Sequence, residues 1–135
     1  MAREVPMRDL ARIVGAEVEE TTRAIKIALF SGVIMDTRVG NPDGWKSPPP
    51  PGYVGGRLRG NWQTSTSAPV EQEIDRIDPQ GAEATQEAVE GVTASGVDYL
   101  TNNLPYAAVW EERDAMVSRN AARIERIVRE KTRVR

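Results

Sequence analysis

Gly55-Gly56-Arg57-Leu58-Arg59-Gly60-Asn61-Trp62-Gln63-Thr64-Ser65-Thr66 is the stretch on which the fold turns. From Arg57 onward, Leu58, Trp62, Thr64 and Thr66 alternate with Arg57, Arg59, Asn61, Gln63 and Ser65, the period of two that a half-buried strand needs. The expectation is a strand with Leu58 and Trp62 in the core and a basic outer rim of Arg57 and Arg59. A second alternation follows, Val70, Gln72 and Ile74 against Glu71, Glu73 and Asp75, after a turn-rich stretch at 65–69. A hairpin with Ile74 in the core is the simplest arrangement.

Outward from the hairpin, helical patterns appear on both sides. Met7, Leu10, Ile13, Val14, Val18, Thr21, Ile25, Ala28, Leu29 and Val33 recur at three-and-four spacing, which predicts one long amphipathic helix from Met7 to about Ile34. Pro6 suits its first turn, Glu17, Glu19, Glu20, Arg23 and Lys26 fall mostly on its wet side, and Gly32 marks where it would fray. Downstream, Asp78-Pro79 reads as an N-cap with proline at the first helical position, ahead of a short helix ending near Gly91 or Gly96. Val97 to Asn102 returns as a strand, with Tyr99 in the core. After the Asn102-Asn103-Leu104-Pro105 turn, a final helix begins at about Ala107 or Asp114 and runs to Thr132. The predicted class is α+β, a small mainly antiparallel sheet packed against a long N-terminal and a C-terminal helix in one domain spanning 1–135.

Residues 40–56 interrupt this pattern. Gly40, Pro42, Gly44, Pro48, Pro49, Pro50, Pro51, Gly52, Gly55 and Gly56 leave no window for regular structure, and the proline run favours an extended polyproline II arm. Trp45 and Tyr53 bracket it. A bare linker has no need of two rings, so the arm is expected to dock on a partner.

The chain has 135 residues, 39% of them hydrophobic but only 5% aromatic, so its core rests on aliphatic side chains. Cysteine and histidine are both absent, which removes thiolate chemistry and the commonest general base and metal ligand. Arg3, Glu4, Arg8, Asp9 and Arg12 break any apolar run at the start, so neither a signal peptide nor a membrane helix is expected there. The net charge of −2 hides a division: residues 68–98 carry eight acids and one base, residues 111–135 eight bases and five acids. Such a division suits head-to-tail packing of identical subunits, or simply two solvated faces.

Candidate chemistry is sparse. Glu71, Glu73 and Asp75 would point to the wet side of their strand, and Glu111 and Glu112, as helix neighbours, would diverge, so no catalytic pair is expected. Gly52-Tyr53-Val54-Gly55-Gly56-Arg57 lacks the lysine and hydroxyl of a phosphate loop and precedes a predicted strand. Neither a cofactor nor a metal is expected. Nucleic-acid binding is the stronger rival, because Arg119, Arg123, Arg126, Arg129, Lys131, Arg133 and Arg135 make the last helix basic. The interleaved Glu125 and Glu130 and the acidic total favour a solvated or subunit-facing helix instead. Among the rings, Trp62 reads as core, whereas Trp110, after Pro105 and Tyr106, either covers the sheet edge or inserts into a neighbour.

Three segments now carry a resemblance: Thr37-Arg38-Val39-Gly40, Gly56-Arg57-Leu58-Arg59-Gly60-Asn61-Trp62, and Tyr99-Leu100-Thr101-Asn102-Asn103-Leu104-Pro105-Tyr106-Ala107 with Val109-Trp110-Glu111. Over about residues 33–112 the chain resembles the tail-completion, or minor tail and neck, proteins of tailed bacteriophages. It departs from that pattern in the proline-rich insertion at 41–55 and in lacking the glycine-serine and glutamine-alanine-proline stretch after Glu111. The resemblance implies a non-enzymatic virion protein, assembled in the host cytoplasm, that forms a ring with copies of itself at the head-proximal end of the tail. Its other partners would be connector, neck and tail-tube proteins, with genomic DNA close by and no membrane; a tail-terminator or head-closure ring is the nearest alternative. The interface candidates are Trp45, Pro48, Pro49, Pro50, Pro51 and Tyr53 on the arm, Arg57 and Arg59 on the strand rim, and Asn102, Asn103, Pro105, Tyr106, Trp110 and Glu111 where the last strand stops.

Overall fold

A computed structural model describes residues 7–40, 46–49, 51 and 55–133, with side chains described between residues 17 and 130 of those ranges. Trp45, Pro50 and Tyr53 therefore lie outside the described residues. Among the described residues, five helices and a two-stranded antiparallel sheet make a small α+β fold.

The apolar stripe that predicts the first helix produces α1, Met7–Asp36. Its C-terminal third does the packing: Phe30, Val33 and Ile34 are buried, whereas Val18, on the same expected stripe, is 60% exposed. Arg23 and Lys26 correct the expected wet side. Arg23 donates to the carbonyl of Val89, and the Lys26 ammonium bonds the carbonyls of Thr93 and Gly96, both at 3.0 Å, and the buried Asp98 carboxylate at 2.6 Å. Gly32 does not fray the helix. It lets the last helix approach, since a Cβ there would lie 2.4 Å from Asn120 Oδ1.

The decisive stretch differs from the expected strand. Arg57–Gly60 is a single helical turn, α2, and only Trp62–Ser65 is a strand, β1. Gly56 enters the turn at φ 114 with its carbonyl accepting from Gly60 and Asp78, and a Cβ on Gly60 would meet the Arg76 carbonyl at 2.2 Å. The strand's partner is also different: β1 pairs antiparallel with β2, Tyr99–Asn102, placing Trp62 opposite Asn102, Gln63 opposite Thr101, Thr64 opposite Leu100 and Ser65 opposite Tyr99. Residues 66–78 form no strand. Side chains hold them where a ladder was expected. Asn61 Oδ1 accepts from Ile74 N, Arg76 donates to the carbonyls of Gly60 and Trp62, and Gln63 donates to the Gln72 carbonyl.

Gly81, not Asp78, is the N-cap of the next helix, although the Asp78 carboxylate still reaches its first turn. α3 is Ala82–Gly91, Pro79 and Gln80 form the preceding turn, and Asp78 Oδ2 accepts from Ala84 N at 2.9 Å. The final helix is two, α4 (Ala107–Asp114) and α5 (Met116–Arg133), divided at Ala115 with φ 50. The main core joins Phe30, Val33 and Ile34 of α1 with Trp62, Ala84, Ala88, Val92 and Met116; a smaller one joins Leu58, Leu104 and Ala107. Burying each of the large members contributes about 1.5–3 kcal/mol. Leu58 and Trp62 are core as expected, while Ile74 and Tyr99 are only half-buried.

Candidate functional site

The three segments singled out in the sequence converge at the end of α1. Thr37 is fully buried there, at the next position of the Phe30, Val33, Ile34 stripe. Its hydroxyl donates to the Val33 carbonyl at 2.7 Å and accepts the Trp62 indole N–H at 2.7 Å, so the ring that anchors β1 is tied by its polar edge to α1. Arg59 caps the same helix end. Its Nε and Nη2 donate to the Thr37 carbonyl at 3.1 and 2.7 Å, Nη2 to the Met35 carbonyl at 2.9 Å, and Nη1 to the Pro79 carbonyl at 2.6 Å. A guanidinium is well placed on carbonyls that the last helical turn leaves unpaired, where the helix dipole is negative.

The third segment closes the junction from the other side. Asn102 Nδ2 donates to the Leu58 carbonyl at 2.8 Å and its Oδ1 accepts from Leu104 N at 3.3 Å. Asn103 Nδ2 reaches the carbonyls of Val70 and Gln72 at 2.8 and 3.2 Å. Trp110 packs against both cores, with the Arg38 guanidinium 4.9 Å and that of Arg113 5.5 Å from its ring centre. Arg38 also makes a two-bond pair with Asp114, at 2.6 and 3.1 Å. The hydrogen bond and charge of Asp114 raise the Arg38 pKa, and those of Arg38 lower that of Asp114. Arg38 is well exposed, so the pair contributes little to stability.

Glu111, an expected contact residue, is structural and caps α5. Its carboxylate accepts from Val117 N at 2.8 Å, Ser118 N at 3.3 Å and Ser118 Oγ at 2.9 Å. Desolvation raises its pKa, but those bonds outweigh it and the net shift is downward. The cap makes the break at Ala115 workable.

Arg59, Asn102, Asn103 and Glu111 therefore have intramolecular partners at this junction. Arg57 is exposed, 3.4 Å from Glu73, and Asn61, expected on the outer face, is completely buried, donating to the Arg57 carbonyl at 2.9 Å. Pro105 and Tyr106 are exposed on the rim, as are Pro48 and Pro51 of the arm, with Pro49 half-buried. Sequence reasoning gave no role to Asn120, which is buried and bonds Asp36 Oδ2 and the Met116 carbonyl, both at 2.7 Å. The signal was available: Met116 and Asn120 stand four residues apart on one helical face, as Thr37 continues the stripe of α1.

Among the described residues, no three acidic side chains are grouped as a metal site would need, and no helix is long and apolar enough to cross a membrane. The junction's chemistry is that of a brace, in which charged and amide groups close backbone carbonyls around one tryptophan. Comparison of the chain with family models, with curated proteins and with solved structures gives no match in any of the three.

Proposed function

We propose that the chain is a structural protein of a tailed-bacteriophage virion, a ring-forming subunit at the head-proximal end of the tail that completes the tail for joining to the filled head. The observation that carries this reading is the convergence of the three resembling segments. Thr37 bonds Trp62, Arg59 bonds the Thr37 carbonyl, Asn102 bonds the Leu58 carbonyl, and Arg38 lies over Trp110. Their meeting in one unit supports reading them as a motif that specifies a subunit frame.

The frame is closed on itself, so contacts with other chains fall to its exposed rim. Pro105 and Tyr106 and the proline arm are the surfaces offered to connector, neck and tail-tube neighbours. The chain acts by position and not by bond-breaking, and a tail-terminator or head-closure station would use the same surfaces.

The test is to locate the chain in particles and to remove it. Gold-labelled antibody should mark the junction of head and tail, and interruption of the reading frame should leave filled heads beside unjoined tails. Particles lacking the chain, or normal infectious particles from the interrupted strain, would reject the reading. A nucleic-acid reader would instead shift duplex DNA with steep salt dependence.

A further inference from the structure

The fold keeps the chain's two charge blocks apart. Residues 68–98 carry eight acids against one base, and residues 116–135 seven bases against two acids. α3, from the acidic block, packs on the face of α1 that carries Arg23 and Phe30, whereas α5 packs where Gly32 and Asp36 lie. Among the described residues no ion pair joins an α5 arginine to an acid of the acidic block.

Each block presents an organised surface. Glu83, Gln86, Val89 and Glu90 are exposed along one outer face of α3, with no base among them. Between α1 and α5 lies an open cleft of about 340 Å³, lined by Gly32, Met35, Asp36, Arg119, Asn120 and Arg123. Arg126 and Ile127 continue the Arg119, Arg123 face, and Met35 and Ile127 are 50% and 39% exposed. Asp36 in the cleft is already engaged, by Asn120 at 2.7 Å and Arg119 at 3.3 Å, and Arg123 bonds Asn120 Oδ1 at 3.1 Å. Each of the two arginine contacts uses one nitrogen of a guanidinium that has five N–H donors.

We propose that the α1–α5 cleft receives the outer face of α3 from a second copy of this chain, with Glu83 and Glu90 on Arg119, Arg123 and Arg126 and the exposed Val89, Met35 and Ile127 beside them. The spacing fits, since Glu83 to Glu90 and Arg119 to Arg126 are both two helical turns, roughly 10 Å. The exposed apolar side chains of Val89, Met35 and Ile127 beside these charges suit a protein partner better than a phosphate backbone. Because cleft and α3 face are different surfaces, the contact is head-to-tail and extends to a ring or a filament. It rests on the proposed ring for its closure only: self-association tests the contact, and location in particles tests the ring's station.

The experiment is sedimentation velocity of the full chain at low and high salt, with R119E/R123E and E83R/E90R variants. The parent should associate at low salt and dissociate as salt rises. Each variant alone should sediment as a monomer with the parent's circular dichroism, its association weaker on the order of a hundredfold. An equimolar mixture should associate again, because reversed cleft then meets reversed α3. The milder E83Q/E90Q should weaken association partly, which keeps the test readable if a reversed variant fails to fold. A parent that stays monomeric, a folded variant that associates like the parent, or a mixture that stays monomeric would overturn the proposal. So would R119E/R123E abolishing a DNA shift while leaving self-association intact.

Discussion

The junction at the end of α1 and the outer surface of α5 draw on the same residue types to opposite ends. At the junction, Arg59 gives all three of its nitrogens to backbone carbonyls, and Thr37, Asn61 and Trp62 are buried with their polar atoms bonded. On α5, Arg119 and Arg126 stand in solvent, and only Met116 and Asn120 are buried among its described side chains. An arginine's neighbours decide its work: beside a helix end short of donors it holds the chain together, and on an open helical face it is offered to another molecule. Substitutions should separate the two regions, one through stability and the other through association.

The largest expected effect is at the ring that the junction encloses. Trp62→Ala removes a nearly buried indole and its bond to Thr37, and should destabilise by about 3–5 kcal/mol, read as the shift of a urea unfolding midpoint. Next comes Thr37→Val, which keeps the shape but leaves the Trp62 N–H buried and unpaired, at a cost of about 1–3 kcal/mol. A midpoint unchanged by T37V would mean that the bond does not hold the junction. Arg59→Lys should cost about 1–2 kcal/mol, since lysine lacks the planar three-nitrogen fork that spans the Met35, Thr37 and Pro79 carbonyls.

A pH effect follows from the loop held by Lys26. Burial raises the pKa of Asp98, but bonds from Lys26 and Thr93 outweigh it, so the folded-state value lies below the ordinary 3.8. A carboxylate depressed in this way stabilises fully above its unfolded value, and that stability is lost as pH falls through the folded value. Acid titration of stability should therefore steepen below 3.8 for the parent and flatten in that window for Asp98→Asn. The smallest effect on folding is expected from Arg126→Glu, within about 0.5 kcal/mol, because the side chain is exposed. The same substitution should weaken self-association clearly, which would sharpen the division between brace and docking face.

The helices were the legible part of this fold. The stripe of α1, the short α3 and the final basic helix follow from spacing, and β2 begins within two residues of its expected start. The hairpin was not legible, for a reason peculiar to Leu58 and Trp62. Residues four apart share a face both in a strand and on a helical turn, so their spacing could not distinguish the two. What decides it is long-range: Gly56 turns with positive φ, and Gly60 presses against the Arg76 carbonyl. Likewise Val70 to Ile77 alternates as a strand would, but Asn61, Gln63 and Asn103 occupy its carbonyls and amides, and the ladder forms with β2 instead. The break at Ala115 carries no glycine or proline and depends on Glu111 reaching Val117 and Ser118. At the candidate site the motif segments and the turn at Asn102 and Asn103 were visible in sequence; that Arg59 faces inward was not, because it depends on where α1 ends.

Electron microscopy of the purified full chain at low salt tests the central claim most directly. The expected result is closed rings of one copy number, absent from R119E/R123E protein that remains folded. Monomers alone in the parent sample, or irregular aggregates without closure, would contradict it.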